Sequence, residues 1–251
     1  MNSSMISPRT VTVEDAASFL GIAPTEILRY HEIGLLPEPP LGGEGHRYRY
    51  DDMIRLLWIR AMADAGIADD AIRVAFADPS TAGGSAGHTV ESILERGLLS
   101  DVVTSRLMDV PKGSLRLTDL DTLLVTERIF GPLGAAIQAT RFIALATHHG
   151  LREESVRVDA AENALDDTVT IDDPRVEQVA AERHAFERML NAVIEDSGLA
   201  KSDEVLFESW DALGLAAEAL DPLSAMDAVA KMPYDFSPAR WRAMELAEAR
   251  G

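Results

Sequence analysis

The stretch from Thr25 to Tyr50, TEILRYHEIGLLPEPPLGGEGHRYRY, constrains this chain most, because it combines a short helix, a glycine stop and a basic, aromatic hairpin. Ile27, Leu28, Tyr30, His31 and Ile33 fall on one short helix. Gly34 ends it, since glycine takes a left-handed cap at least cost. Leu35 and Leu36 give the turn an apolar filling. Pro37, Pro39 and Pro40 exclude helix and ladder strand alike, so the chain crosses in extended form to Gly42, Gly43 and Gly45. Arg47, Tyr48, Arg49 and Tyr50 then read as a strand with the arginines on one face and the tyrosines on the other, which makes the hairpin a wing. Upstream, Val13 to Leu20 reads as a second short helix with Thr12 as its cap, and Gly21 and Pro24 turn it into the next. Two short helices joined by a tight turn form a helix-turn-helix, whose second helix can enter a DNA major groove. The same pattern also suits two core-forming helices of an ordinary domain.

Three segments, LRYHEIGLL, GHRYRY and DDMIRLLWIRAMADAGIADDAI, occur in the order and spacing that resemble the amino-terminal winged helix-turn-helix of the MerR family of transcriptional regulators. The resemblance runs from about Val11 to Phe76. It implies double-stranded DNA as partner, with Tyr30, Arg47 and Tyr48 on phosphate and sugar. Thr25 and Glu26 stand near the start of the recognition helix, where base edges are usually met; Arg29 and His31 on the same helix and Arg49 on the wing complete the expected DNA-binding set. The resemblance further implies a homodimer, an inverted-repeat site, and a promoter whose overlong spacer is distorted for RNA polymerase. Two departures from the family pattern stand out. Aligned on Gly34, the family's helix arginine falls on Leu28, with Arg29 where an aromatic is usual, and the wing is one residue short between Arg47 and Tyr48.

Length enters next: 251 residues at 47% hydrophobic allow two modest domains. The expected fold is mainly α, with a winged helix-turn-helix over residues 1–78, a linker with short helices over 79–117, and an all-helical domain over 118–251 for dimerisation and effector binding. DPSTAGGSAGH, residues 78–88, has linker composition. The net charge of −19 argues against a nonspecific nucleic-acid coat. Seven arginines against twelve acidic residues give residues 1–78 a charge of −5, leaving −14 for the rest. Arg29, Arg47, Arg49, Arg55 and Arg60 can still form a local cationic stripe, or each can pair with neighbours. With no cysteine, disulfides and thiolate metal sites are excluded, and with them the thiolate metal sensing known in part of the family. No apolar run nears the ~18 residues of a membrane span and no secretory signal opens the chain, so the expected location is cytoplasmic, away from membranes.

Beyond the wing, helices are expected over Asp51 to Asp64, Asp69 to Phe76, Thr89 to Arg96 and Ser100 to Met108, with a short strand over Val110 to Leu117. Helices follow over Thr118 to Phe130 and Leu133 to His148, broken or kinked at Gly131-Pro132, then over Arg152 to Asp166, Pro174 to Asp196, Ser202 to Leu220, Pro222 to Lys231 and Pro238 to Arg250. The segment 118–149 suits either a dimer-joining helix or a buried internal one. Glu182, His184 and Glu187, with His148 or His149, are the nearest approach to a metal site, but acidic residues in so acidic a chain are more often a solvated face. The cobalamin-type E-x-H-x-x-H motif is incomplete because Glu187 stands at its second histidine. No metal, cofactor or catalytic residue is therefore expected, and the chain is not read as an enzyme. Phe207, Trp210, Tyr234 and Trp241 are candidate linings of a pocket for a small organic effector, against the plainer reading that they are core. The function expected is a dimeric, sequence-specific DNA-binding regulator. The alternative is a ligand-binding or protein-interaction module with a vestigial winged helix.

Overall fold

The computed structural model describes residues 9–37, 46–76, 89–212, 228 and 231–251. The expected linker over 78–88, the helix over Pro222 to Lys231 and the wing tip lie largely or wholly outside the described residues. The fold is mainly α, and the described chain divides into two compact units. The first contains residues 1–138 and 213–234; the second contains residues 139–212 and 235–251.

In the first unit, α1 (Val13–Leu20) starts at Thr12, whose Oγ1 accepts the Asp15 amide at 3.1 Å, and stops at Gly21 with φ 69°. Thr12 thus satisfies one of the amides that a helix start leaves open. Proline at the first turn opens α2 (Pro24–Glu32), and Gly34 at φ 72° follows it. The amides of Leu35 and Leu36 both return to the Tyr30 carbonyl. This folds two buried leucines back against the helix pair. α3 (Tyr50–Asp64) buries Met53, Leu56, Leu57, Trp58, Ile59 and Met62, and α4 (Asp69–Ala75) adds Ile72. Two short helices follow, α5 (Val90–Glu95), capped by Thr89, and α6 (Asp101–Leu107).

The strand expected over Val110 to Leu117 does not form. Ser114 returns both its amide and its hydroxyl to the Pro111 carbonyl, and Gly113 sits at φ 76°. The Arg116 amide then goes to the Asp119 carboxylate at 2.9 Å, so Leu117 begins a helix instead. That helix, α7 (Leu117–Thr147), kinks at Gly131, where φ 74° and ψ 178° are non-helical, just before Pro132. It resumes without a separate start, so the two expected helices are one kinked element. Its residues through Gln138 belong to the first unit and those from Ala139 to the second. By length and composition α7 could also cross a bilayer, which corrects the expectation that no apolar run comes near a span. Half of its most apolar stretch is buried inside the protein, as in a core helix.

The second unit is built on α8 (His149–Asn163), α9 (Pro174–Asp196), α10 (Leu199–Ala212) and α11 (Pro238–Glu248). Asp173 caps α9 and Ser237 caps α11, each with proline in the first turn. Ala239, Ala243 and Ala247, four apart on α11, share a core with Val176, Val179 and Ala180 of α9. Such small side chains let two helices approach closely. Glu162 is buried between Arg183 at 3.2 Å and Arg240 at 3.7 Å, and burial raises its carboxyl above the usual range even so. The arginines thereby satisfy a group that would otherwise be costly to bury.

Candidate nucleic-acid interface

Helical spacing sorts α2 into two faces. Ile27 and Tyr30 are buried, whereas Thr25, Leu28, Arg29 and Glu32 are exposed, Leu28 by 41%. The exposed residues form the outer face of α2. Arg29 Nη1 lies 3.0 Å from Asp69 of α4, with both side chains nearly half exposed. A surface pair of this kind holds little, on the order of 0–1 kcal/mol, so an arriving phosphate can exchange for the carboxylate.

The inner face positions the rest. Tyr30 donates its hydroxyl to Glu26 Oε1 at 3.2 Å, so of the two residues near the helix start Thr25 is the more open and Glu26 is partly engaged. His31 Nδ1 faces the Leu36 carbonyl at 3.2 Å, and Nε2 lies 2.9 Å from the Tyr48 hydroxyl. A carbonyl only accepts, so Nδ1 carries the proton and Nε2 of the neutral ring accepts from Tyr48. Tyr48 is completely buried and exchanges both backbone hydrogen bonds with Val11, at 2.9 and 3.0 Å. The wing's inner edge is thus fixed to the recognition helix through His31 and to the chain just before α1 through Val11.

Burial bears directly on two expected contacts. The side chains of Tyr30 and Tyr48 face the core, and their hydroxyls already have partners, an arrangement that suits holding the interface in shape. The strand expected over Arg47 to Tyr50 is reduced to the single antiparallel bridge at Tyr48. Tyr50 already belongs to α3, because the Arg49 amide is taken by the Asp52 carboxylate at 2.9 Å. The alternation itself persists. With Tyr48 inward, Arg47 is partly and Arg49 well exposed on either side of it.

The expected arginine stripe is narrower than its sequence. Arg55 Nε donates to the Leu35 carbonyl at 2.8 Å, and its guanidinium lies 4.6 Å from the Phe76 ring centre. Arg60 pairs with Asp64 at 3.3 Å. Arg73, which the sequence did not single out, donates twice to the Ile33 carbonyl at the end of α2 and is a basic group at the negative end of a helix dipole. Leu28 also emerges here as a presented residue. The three-to-four spacing of Ile27 and Tyr30 on the opposite face is the signal that marks it.

All four phenols of the chain are held above the usual tyrosine range. Tyr30 and Tyr48 are each pushed up to about 12, chiefly by burial and then by nearby carboxylates, Glu26 for Tyr30 and Asp52 for Tyr48. Burial also raises Tyr50 and Tyr234, whose rings lie 5.8 Å apart. Unfolded tyrosine ionises near pH 10, so stability should be level below about pH 10 and fall as pH rises toward 12, where the unfolded chain has already lost protons. Spectrophotometric titration should show no phenolate step near pH 10 while the protein remains folded; a native step there would mean that one of the four is open to water.

The other expected sites are placed elsewhere. Tyr234 falls in the first unit and Phe207, Trp210 and Trp241 in the second, so no single unit holds the four proposed effector residues. Phe207 is half exposed, and Trp241 lies 5.8 Å from Phe236. Glu182 is bound by Arg157 at 2.7 Å, and Glu187 by Arg141 at 2.8 Å. Among the described residues no group of three histidine, aspartate or glutamate side chains is placed to hold a metal.

Residues 11–78 match the family described as MerR HTH family regulatory protein, and this span contains all of the residues from Thr25 to Arg49 discussed above. The amino-terminal domain is therefore a MerR-type helix-turn-helix, a domain of DNA-binding transcription regulators. No curated protein and no solved structure matches the chain.

Proposed function

We propose that this chain, whose residues 11–78 are a MerR-type helix-turn-helix, is a homodimeric regulator that reads an inverted-repeat promoter site. The observation that supports this most is the exposed face of α2, Thr25, Leu28 and Arg29, with Arg47 and Arg49 displayed on either side of a buried Tyr48. One protomer carries one recognition helix and reads one half-site, so two-fold symmetry calls for a second copy. Thr25 and Leu28 meet base edges, Leu28 offering an apolar contact suited to a thymine methyl group. Arg29, Arg47 and Arg49 meet phosphate. The bound dimer distorts an overlong spacer for RNA polymerase, at a bending cost on the order of 1–6 kcal/mol, and a small organic effector gates the process. Such a regulator works in the cytoplasm.

A vestigial domain without DNA affinity is the competing reading, favoured by the engagement of Arg29 with Asp69 and by the acidity of the chain. Size-exclusion chromatography and mobility shifts on the chain's own upstream region separate the two. The regulator should run as a dimer and lose affinity as salt rises, with a slope near −0.9 per phosphate contact. Arg47→Ala should weaken cognate and scrambled duplexes alike and reduce that slope by about 1. Thr25→Ala or Leu28→Ala should instead change preference among half-site variants by roughly 1–3 kcal/mol at one position. A monomer that shifts no fragment would end the proposal. A base preference altered by Arg47→Ala and untouched by the α2 variants would reverse the two roles.

A further inference from the structure

The first unit contains an open pocket of about 450 Å³, whose lining includes Arg60 of the expected arginine stripe but none of the other candidate site residues singled out from the sequence. Its volume lies in the range of pockets that hold small organic ligands. Leu57 and Ala61 of α3, Leu98 and Leu99 before α6, and Leu124 of α7 supply an apolar lining. Four charged residues complete it, and they are not equivalent.

The two carboxylates are already engaged. Glu127 accepts both the amide and the hydroxyl of Ser100, at 3.2 and 3.0 Å, and Asp64 accepts from Arg60 Nε at 3.3 Å. The two guanidiniums are less well compensated. Arg128 donates Nε to the Phe19 carbonyl, and Arg60 Nη1 is buried with no hydrogen-bond partner among the described residues. Both converge on Gly21, where an added Cβ would lie 3.3 Å from Arg128 Nη2 and 3.3 Å from Arg60 Nη1. Burial and then the Arg60 charge hold Arg128 below the usual arginine range, as two cations crowded together would do. A buried donor and two adjacent positive charges are what an anion relieves.

We propose that this cavity binds a small organic anion, its apolar body against Leu57, Leu98, Leu99 and Leu124 and its carboxylate or sulfonate between Arg60 and Arg128. It gives the proposed effector a site formed by α3 and α7 within the first unit, separate from Phe207, Trp210 and Trp241. The site stands independently of DNA binding, because its occupancy is measured with no duplex present.

The test uses the full chain and two fluorescent probes, 8-anilinonaphthalene-1-sulfonate and its uncharged counterpart N-phenyl-1-naphthylamine. The anion should bind saturably, one molecule per chain, and about tenfold or more tighter than the neutral probe, the scale of a charge-assisted hydrogen bond. Arg60→Met should bring the anion's affinity down to that of the neutral probe and leave the latter unchanged. Ala61→Phe, which fills the cavity from α3, should abolish both. Arg128→Met repeats the charge test, but it also removes the bond to Phe19; should that variant unfold in a thermal melt, Arg60→Met carries the test, its Nε bond to Asp64 lying on an exposed surface. Equal affinity for the two probes, or anion binding that survives both Arg60→Met and Ala61→Phe, would overturn the proposal. Duplex binding, assayed separately, is free to fail or succeed without changing either outcome.

Discussion

Replacing Trp58 by alanine should lower the stability of the first unit by about 3–5 kcal/mol, the usual cost of emptying a buried aromatic site. Trp58 is 1% exposed, on the face of α3 opposite water, and its Nε1 donates to Asp121 Oδ1 of α7 at 2.7 Å. Two losses therefore combine. The alanine leaves a void that the surrounding side chains fill only in part, and it leaves Asp121 without its donor. Burial already raises the Asp121 carboxyl above its usual range, and the indole hydrogen bond is what counteracts this. Trp58→Phe separates the two, keeping most of the volume and removing the donor, for about 1–3 kcal/mol. Urea denaturation followed by circular dichroism measures both. An alanine variant that lost less than about 1 kcal/mol would mean that the site readily admits water or collapses, and that α3 and α7 are not locked at this point.

Gly131→Ala should destabilise the protein by about 1–3 kcal/mol, because Gly131 adopts φ 74° and ψ 178°, a region that is essentially glycine-only. Alanine cannot escape by becoming helical, since the ring of Pro132 disfavours helical geometry in the residue before it. The double change Gly131→Ala with Pro132→Ala removes both obstacles. It should recover most of the loss by letting the residues around position 131 join the helix without a kink. A thermal melt of the single variant that matched the wild type would show that the kink costs nothing to remodel, and would refute this account of α7.

What could be read from the sequence was local. Gly34 and Gly66 end their helices where they were expected to, both at positive φ, and Ser237 with Pro238 starts α11 by the cap that its residue types imply. The boundaries expected for α9 are those found. What escaped was set by partners far along the chain. Nothing near Tyr48 reveals that its hydroxyl ends on His31, and nothing near Arg29 reveals Asp69, forty positions away. Arg49 and Tyr50 continue an alternating pattern that favours a strand, yet one carboxylate at Asp52 converts them to a helix start. The strand expected over Val110 to Leu117 failed likewise, because leucines spaced by two cannot outweigh a turn and a cap made by Ser114 and Asp119. The cavity was invisible for another reason: its lining comes from three separated stretches, none of which has an unusual composition.

The route of the chain bears on how the protein is made. Lys231 Nζ reaches Ser18 Oγ at 2.9 Å, and Tyr234 lies against Tyr50. Both contacts join residues of the helix-turn-helix region to residues synthesised much later. At translation speeds of roughly 5–20 residues per second, the interval between Tyr50 and Tyr234 is on the order of ten to forty seconds. During that time Ser18 and Tyr50 are without these two partners. A chain stalled in that interval would therefore leave open the Tyr50 ring, which the later contact with Tyr234 partly covers.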